Sequence, residues 1–304
     1  MDATQTSQKV VPSLWFDHVA REAVDFYLTV FPDSAETHVS RYPEQGLPEF
    51  QQEFAGQPVE IRFRIANLEF NAINAGPEFT KGTAISFLLN FDPATDPHAA
   101  EHLDDTWVHL ADGGEVFTDL GPQPWSARYG SVRDRFGVTW QLMLPDPKGD
   151  PRPFVVPQIT FPHTAATART AMDYWTSVFP DAHVGAVMGY PDSDTSQVPG
   201  AVMFAEFQLA GQWFSAMDSW DAPSNYAPFN EGVSFIVNCA DQSEIDHFWD
   251  ALSSVPEAEQ CGWCKDRFDM SWQVVPDNMD DLMTKPDAYR KMVAMKKIVI
   301  ADFD

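Results

Sequence analysis

The chain has 304 residues, with 19 Lys plus Arg against 45 Asp plus Glu, a formal net charge of −26. At 44 % hydrophobic residues it can fill one large core or two ordinary ones, which excludes a disordered chain. The negative balance with no basic cluster argues against nucleic acid and anionic lipid as partners, and no apolar run of about eighteen residues and no leader-like opening is visible, so a soluble cytoplasmic protein is expected.

Residues 10–16 form a β-rich run, and residues 21–30 place Ala23, Phe26, Tyr27 and Val30 on one helical face before Phe31-Pro32-Asp33 stops the helix. Strands are expected over 34–41, 59–65 and 70–74. After Gly76-Pro77 the order restarts. A strand over 83–90 precedes a helix whose apolar face is Ala99, Leu103, Trp107 and Leu110, ended by Gly113-Gly114. Strands over 115–120, 129–133 and 138–144 follow, and then three prolines between Pro145 and Pro151 interrupt regular structure.

The remainder repeats the beginning. The segment from Phe26-Tyr27 to Pro32-Asp33 returns from Tyr174-Trp175 to Pro180-Asp181, 148 residues later, and Ile85-Ser86-Phe87 returns as Val233-Ser234-Phe235 at the same spacing. Gly130, Asp134-Arg135-Phe136 and Trp140-Gln141 recur as Gly262, Asp266-Arg267-Phe268 and Trp272-Gln273, now 132 residues apart, so the first copy is longer in the stretch after Gly113. The reading is an α+β chain of four strand-helix-three-strand (βαβββ) modules in two domains, residues 1–150 and 151–304. Two modules side by side can curl into a concave mixed sheet with helices outside and a cavity within. The polar loops over 43–58 and 192–200 would border it. Residues 279–282 and a helix over 286–297, with a stripe of Ala288, Met292 and Met295, should pack back on the second domain.

The paired module order, with the aromatic segment ending at Asp33 and the stretch from Lys265 to Gln273, resembles the PhnB-like branch of the vicinal oxygen chelate superfamily. That branch often carries the label "3-demethylubiquinone-9 3-methyltransferase". The resemblance implies two glyoxalase-like domains. It also implies a cup in which relatives hold a divalent metal that chelates neighbouring substrate oxygens. Carried over by position, the ligand sites fall on Ser13 and Gln158 in the first strands, near residues 84–86 and 232–234 in the middle strands, and on Gln141 and Gln273 in the last strands. The fourth-strand site falls on Asn71 or Ile73 and on Ser215 or Met217. None is a histidine or a carboxylate, and a neutral amide supplies too little field to hold a cation alone. No metal and no cofactor is therefore expected.

Without a metal, the Gln141 and Gln273 amides become the polar handles of apolar cups. Trp15, Phe70, Trp140 and Trp272 would line or border those cups, the competing reading being that Trp140 and Trp272 are core residues. Asn74 and Asp218, Gln158, and Cys261 complete the candidate ligand-binding set, while Asp134-Arg135 and Asp266-Arg267 are read as ion pairs at strand turns. Cys261-Gly262-Trp263-Cys264 has redox-dithiol spacing but leads into a strand rather than a helix. His98-Ala99-Ala100-Glu101-His102 matches an inverted zinc-protease pattern but opens an amphipathic helix whose apolar face is needed for packing. Three cysteines are too few for a disulfide scaffold. No glycine-rich nucleotide loop or nucleophile elbow is present.

The favoured function is a metal-free protein that binds a small molecule in an amphipathic pocket. One alternative is a vicinal-oxygen-chelate lyase, isomerase or dioxygenase with a weak metal on Asp218, Gln158 and Gln273. The other is a structural or protein-interaction module with a filled interior. A tandem copy can satisfy within one chain the contact that single-domain relatives make as dimers. A monomer is expected, with a homodimer as the alternative.

Overall fold

A computed structural model describes residues 8–162, 167–191, 198–219 and 228–304. The first module is β1 (Val10–Asp17), α1 (Ala20–Val30), β2 (Ser34–Arg41), β3 (Pro58–Ile65) and β4 (Leu68–Ala75). The second is β5 (Ile85–Asn90), α2 (Ala99–Ala111), β6 (Glu115–Gln123), β7 (Ser126–Arg133) and β8 (Thr139–Met143). The third is β9 (Val155–Pro162), α3 (Thr167–Val178), β10 (His183–Gly189), β11 (Val202–Leu209) and β12 (Gln212–Ser219). The fourth keeps three strands, β13 (Val233–Cys239), β14 (Trp263–Lys265) and β15 (Ser271–Pro276), with α4 (Gln242–Leu252). Its missing strand is the counterpart of β6, which accounts for the shorter spacing between the second pair of sequence anchors.

The modules assemble into two mixed sheets, a seven-stranded one in the order β14-β15-β13-β1-β4-β3-β2 and an eight-stranded one in the order β10-β11-β12-β9-β5-β8-β7-β6. Each sheet therefore joins one module from each half of the chain. The joints are the antiparallel pairs β1–β13, running from Val10 opposite Val237 to Leu14 opposite Val233, and β5–β9, from Ile85 opposite Ile159 to Leu89 opposite Val155. The two modules of one half meet instead through their helix-bearing faces. In the first half Tyr27 of α1 and Phe31 just after it pack on Trp140 of β8, and Phe70 of β4 packs edge-on against Phe87 of β5 at 4.9 Å. In the second half Trp175 of α3 meets Trp272 of β15 and Phe179 meets Phe248 of α4. These rings are buried, each contributing about 2–3 kcal/mol of apolar transfer. The expectation that neighbouring modules of one copy form a concave sheet is thus corrected: neighbours share a core, and concavity is completed across the copies.

The other face of each sheet is left free of helices α1 to α4. Its curvature shows in Trp15 of β1 and Trp263 of β14, three strands apart. On a flat sheet they would be about 14 Å apart, yet their ring centroids lie 6.3 Å apart. The seven-stranded cup is bordered by the tail, α5 (Met279–Met283) and α6 (Ala288–Ala294), which is shorter than the periodicity predicts because Met295 is extended. The Cys261 N–H donates to Met295 O and the Gly262 N–H to Lys296 O, so the tail backbone pairs the segment leading into β14. Tyr289 of α6 packs on Tyr42 and donates its hydroxyl to Gln51 Oε1, joining the tail to the loop after β2, which contains a 3-10 turn over Glu49–Phe54. Of the second predicted border loop, residues 192–197 lie outside the described residues.

Candidate functional site

Strand register places one row of polar side chains across each helix-free face. In the seven-stranded cup Ser13 of β1 stands opposite Asn71 of β4 on one side and Ser234 of β13 on the other, with Gln273 of β15 beyond. The Asn71 amide donates to Ser13 Oγ at 3.2 Å and the Gln273 amide to Ser234 Oγ at 3.0 Å. In the eight-stranded cup Gln158 of β9 stands between Ser215 of β12 and Ser86 of β5, with Gln141 of β8 beyond. Here Ser215 donates to Gln158 Oε1 at 3.3 Å, Gln158 Nε2 faces Met217 Sδ at 3.3 Å, Gln141 donates to Ser86 Oγ at 2.8 Å, and Tyr129 donates to Gln141 Oε1 at 2.7 Å. The rows are homologous and both are largely withdrawn from solvent. The positions carried over from the resemblance fall on these rows, but each row mixes residues from the two halves of the chain.

The seven-stranded cup also holds a carboxyl that sequence reading missed. Glu60 of β3 is pushed up chiefly by burial, against the attraction of Arg62 and with Asp280 adding to the rise. Its signal lay in the alternation of β3, where Glu60, Arg62 and Arg64 interleave with Ile61, Phe63 and Ile65, which face α1 and the core. Trp15 borders the same cup, half-buried, with its indole N–H donated to Gly76 O at 2.8 Å.

Other candidates are relocated. Phe70, Trp140 and Trp272 are core residues at 0 %, 0 % and 1 % exposure, because their strand positions point toward the helices. Asn74 and Asp218 share that face and anchor helix starts. Asn74 Oδ1 accepts the Ala20 N–H of α1, while Asp218 Oδ1 accepts the Thr167 and Ala168 N–H groups of α3 and Oδ2 that of Val202. Cys261 lies at the tail contact with φ 41, half-buried, its thiol pushed up by burial to about 11, and Cys264 is buried on the core side with its thiol raised further. Burial without a helix N-terminus gives neither cysteine thiolate character at neutral pH. His98 pairs with Glu101 and His102 with Asp96 on the exposed first turn of α2.

The expected turn ion pairs are also replaced. Asp134 Oδ1 accepts the Phe136 and Val138 N–H groups, and its Oδ2 accepts the Tyr27 hydroxyl and the Trp140 indole at 2.9 and 2.8 Å. Asp266 repeats this with Phe268 and Met270 N–H and the Trp175 and Trp272 indoles at 2.7 and 3.0 Å. Arg135 and Arg267 lie instead over the rings of Phe26 and Tyr174. Burial pushes both carboxyls up while these hydrogen bonds hold them down. Both are structural anchors of the helix-side cores. Among the described residues no group of three or more His, Cys, Asp or Glu side chains is arranged to hold a metal ion.

A two-fold repeat of mixed strands, with a polar row across each concave face, defines a tandem glyoxalase-like protein. The family model described as 3-demethylubiquinone-9 3-methyltransferase matches residues 8–143 and 154–275, and the chain belongs to that family. Among solved structures, the PhnB protein from Bacillus cereus is 30 % identical over 45 % of this chain and 99 % of its own, with a TM-score of 0.39. A protein from Pseudomonas aeruginosa is 27 % identical over 46 % of this chain and 98 % of its own, with a TM-score of 0.37. Glyoxalase I from Zea mays is 10 % identical but spans 90 % of this chain and 95 % of its own at a TM-score of 0.51, a likeness of fold. No curated protein gave a significant match. Among the described residues no helix is long and apolar enough to cross a membrane.

Proposed function

We propose that the protein binds a small organic molecule in its cups without a resident divalent ion. The observation that carries this reading is the make-up of the two polar rows: every member is an amide or a hydroxyl, the amide nitrogens are turned onto serine oxygens or a thioether, and the one carboxyl beside them, Glu60, has no second carboxylate, histidine or cysteine grouped with it to complete a metal site among the described residues. A divalent cation wants ionised oxygens, thiolates or imidazoles, and this donor set does not fit one. The set Asp218, Gln158 and Gln273 does not converge either. Gln158 and Gln273 belong to different sheets, and Asp218 is spent on α3 from the opposite face. Polar groups in an otherwise apolar concavity orient a small ligand rather than catalyse by themselves. The methyl transfer in the family's description is not part of this reading, since neither sheet is a doubly wound parallel sheet with a glycine-rich first turn.

The internal β1–β13 and β5–β9 joints support a monomer, and the acidic balance and unpaired cysteines support a cytoplasmic location. Elemental analysis of protein purified without chelator tests the metal-free reading: well under one equivalent of zinc, nickel, iron or manganese is expected, and a stoichiometric ion overturns it. Sedimentation should give a mass near 34.1 kDa, and twice that value removes the monomer.

A further inference from the structure

Each cup face carries one buried hydroxyl without a partner among the described residues, Ser271 Oγ in the seven-stranded cup and Thr139 Oγ1 in the eight-stranded one, and the cups differ in their amides. In the eight-stranded cup both ends of Gln141 and both ends of Gln158 are engaged within the row or by Tyr129 and Met217. In the seven-stranded cup the Asn71 amide nitrogen is committed to Ser13, while Asn71 Oδ1, on a side chain with 0 % exposure, has no hydrogen-bond partner among the described residues. A buried acceptor left without a donor is costly, and a ligand that supplies the donor removes that cost. The Glu60 carboxyl, on the same face of the neighbouring strand, is a second acceptor with no geometric hydrogen bond or ion pair among the described residues, under the charges of Arg62, Asp280 and His38. Trp15 and Trp263, edge to face on the same concave side, offer apolar area next to these acceptors.

Building on the small-molecule reading above, we propose that the seven-stranded cup is the working site. It takes a small aromatic or apolar molecule that presents a hydrogen-bond donor, an ammonium, amide N–H or hydroxyl, to Asn71 Oδ1 and the Glu60 carboxyl. The eight-stranded cup, whose two amides are engaged at both ends, is the scaffold copy. Arg62, one strand position from Asn71 on the same face, balances Glu60, so the site accepts neutral donors as well as cationic ones. The formal net charge of −26 favours the approach of cationic ones.

The test uses the full-length protein and four probes that share one ring: benzylamine, benzamide, benzyl alcohol and methyl benzoate, the last an acceptor only. Dissociation constants from ligand-observed NMR or thermal shift are expected to be at least about tenfold tighter for the three donors than for methyl benzoate. Glu60→Gln should weaken benzylamine about tenfold while changing benzyl alcohol by less than about threefold, which separates cationic from neutral donors. Asn71→Leu should bring all four probes to within about threefold of one another. Because Asn71 is buried, circular dichroism of that variant accompanies the titration, and Glu60→Gln carries the test if it does not fold. Methyl benzoate binding as tightly as the donors, with loss in Asn71→Leu, overturns the donor class and leaves the cup. Binding that ignores Glu60→Gln and Asn71→Leu but disappears in Ser86→Ala moves the site to the other cup and overturns the assignment. Failure of every probe to bind overturns the small-molecule reading itself.

Discussion

The two halves of the chain bury the same carboxylate in the same place but surround it with different donors. Asp134 is held by one indole and one phenol, Asp266 by two indoles. Tyr27 and Trp175 occupy equivalent positions in the repeat, so a single substitution sets the difference. A phenol hydroxyl can turn and accept, whereas an indole N–H only donates. The asymmetry is hidden while the carboxylate is present. It emerges when Oδ2 becomes an amide nitrogen: Asp266→Asn then faces two N–H groups it cannot satisfy, and Asp134→Asn faces one plus a hydroxyl that can reverse. Urea denaturation should show losses of about 4 kcal/mol for Asp266→Asn and about 2–3 kcal/mol for Asp134→Asn, and equal losses would remove the donor-only explanation. Both native carboxyls are raised by burial, so in the folded state they hold protons that the unfolded chain has released just above the ordinary carboxylate value. Their contribution is greatest below that value and declines as pH rises through the folded one.

Helix starts show a second divergence of the halves. Asp218 serves three backbone N–H groups with two charged oxygens, while Asn74 in the homologous position serves one with a neutral amide at 3.3 Å. Asp218→Ala should cost about 2 kcal/mol and Asn74→Ala about 1 kcal/mol or less, read as shifts in denaturation midpoint at constant slope. A larger loss at Asn74 than at Asp218 would overturn this ranking of the two anchors.

The same two residues mark where the sequence stopped being legible. The repeat, the module order and almost every strand can be read from the chain because periodicity and the eight-residue anchor survive in both copies. The face of each central strand cannot. In β4 seven of eight residues are buried and in β5 and β13 all are, since helices cover one side and the cup closes on the other, so no polar-apolar alternation remains to separate Asn71 from Asn74 or Ser215 from Asp218. On β3 and its counterpart β11, nearer the sheet edges, alternation persists, and on β3 Glu60 was readable. The Asp134 and Asp266 motifs were visible as repeats, but their partners Tyr27 and Trp175 lie 107 and 91 residues away, beyond any local rule, and the adjacent arginine drew the pairing. Joining of the halves through β1–β13 and β5–β9 likewise has no local signal.

The smallest predicted differences are at the edges of this symmetry. Lys81 lies where the second half has Phe229. Its ammonium sits 3.8 Å from the Phe16 ring centroid and donates to Phe136 O, while Phe229 packs edge-on against Phe161. Burial pulls the Lys81 amine down to about 8 from its ordinary 10.5. Between those values the unfolded chain binds more protons than the folded one, so stability rises with pH across that window and the charged amine is a burden below it. Lys81→Met should therefore stabilise the protein at pH 7 by about 1 kcal/mol and flatten the rise between about pH 8 and 10. A destabilised Lys81→Met would show instead that the ring contact and the Phe136 carbonyl outweigh desolvation. Tyr289→Phe, which removes the hydroxyl donated to Gln51 at 2.6 Å and keeps the ring on Tyr42, should cost only about 0.5–1 kcal/mol. Its clearer readout is hydrogen exchange. The Cys261 and Gly262 amides, which donate to the tail carbonyls of Met295 and Lys296, should exchange faster in Tyr289→Phe, while the equivalent Tyr129 and Gly130 amides, paired within β7 and its neighbours, should not change. Equal protection of both pairs would mean that the tail is held by its apolar contacts at Leu282 and Ile298 alone.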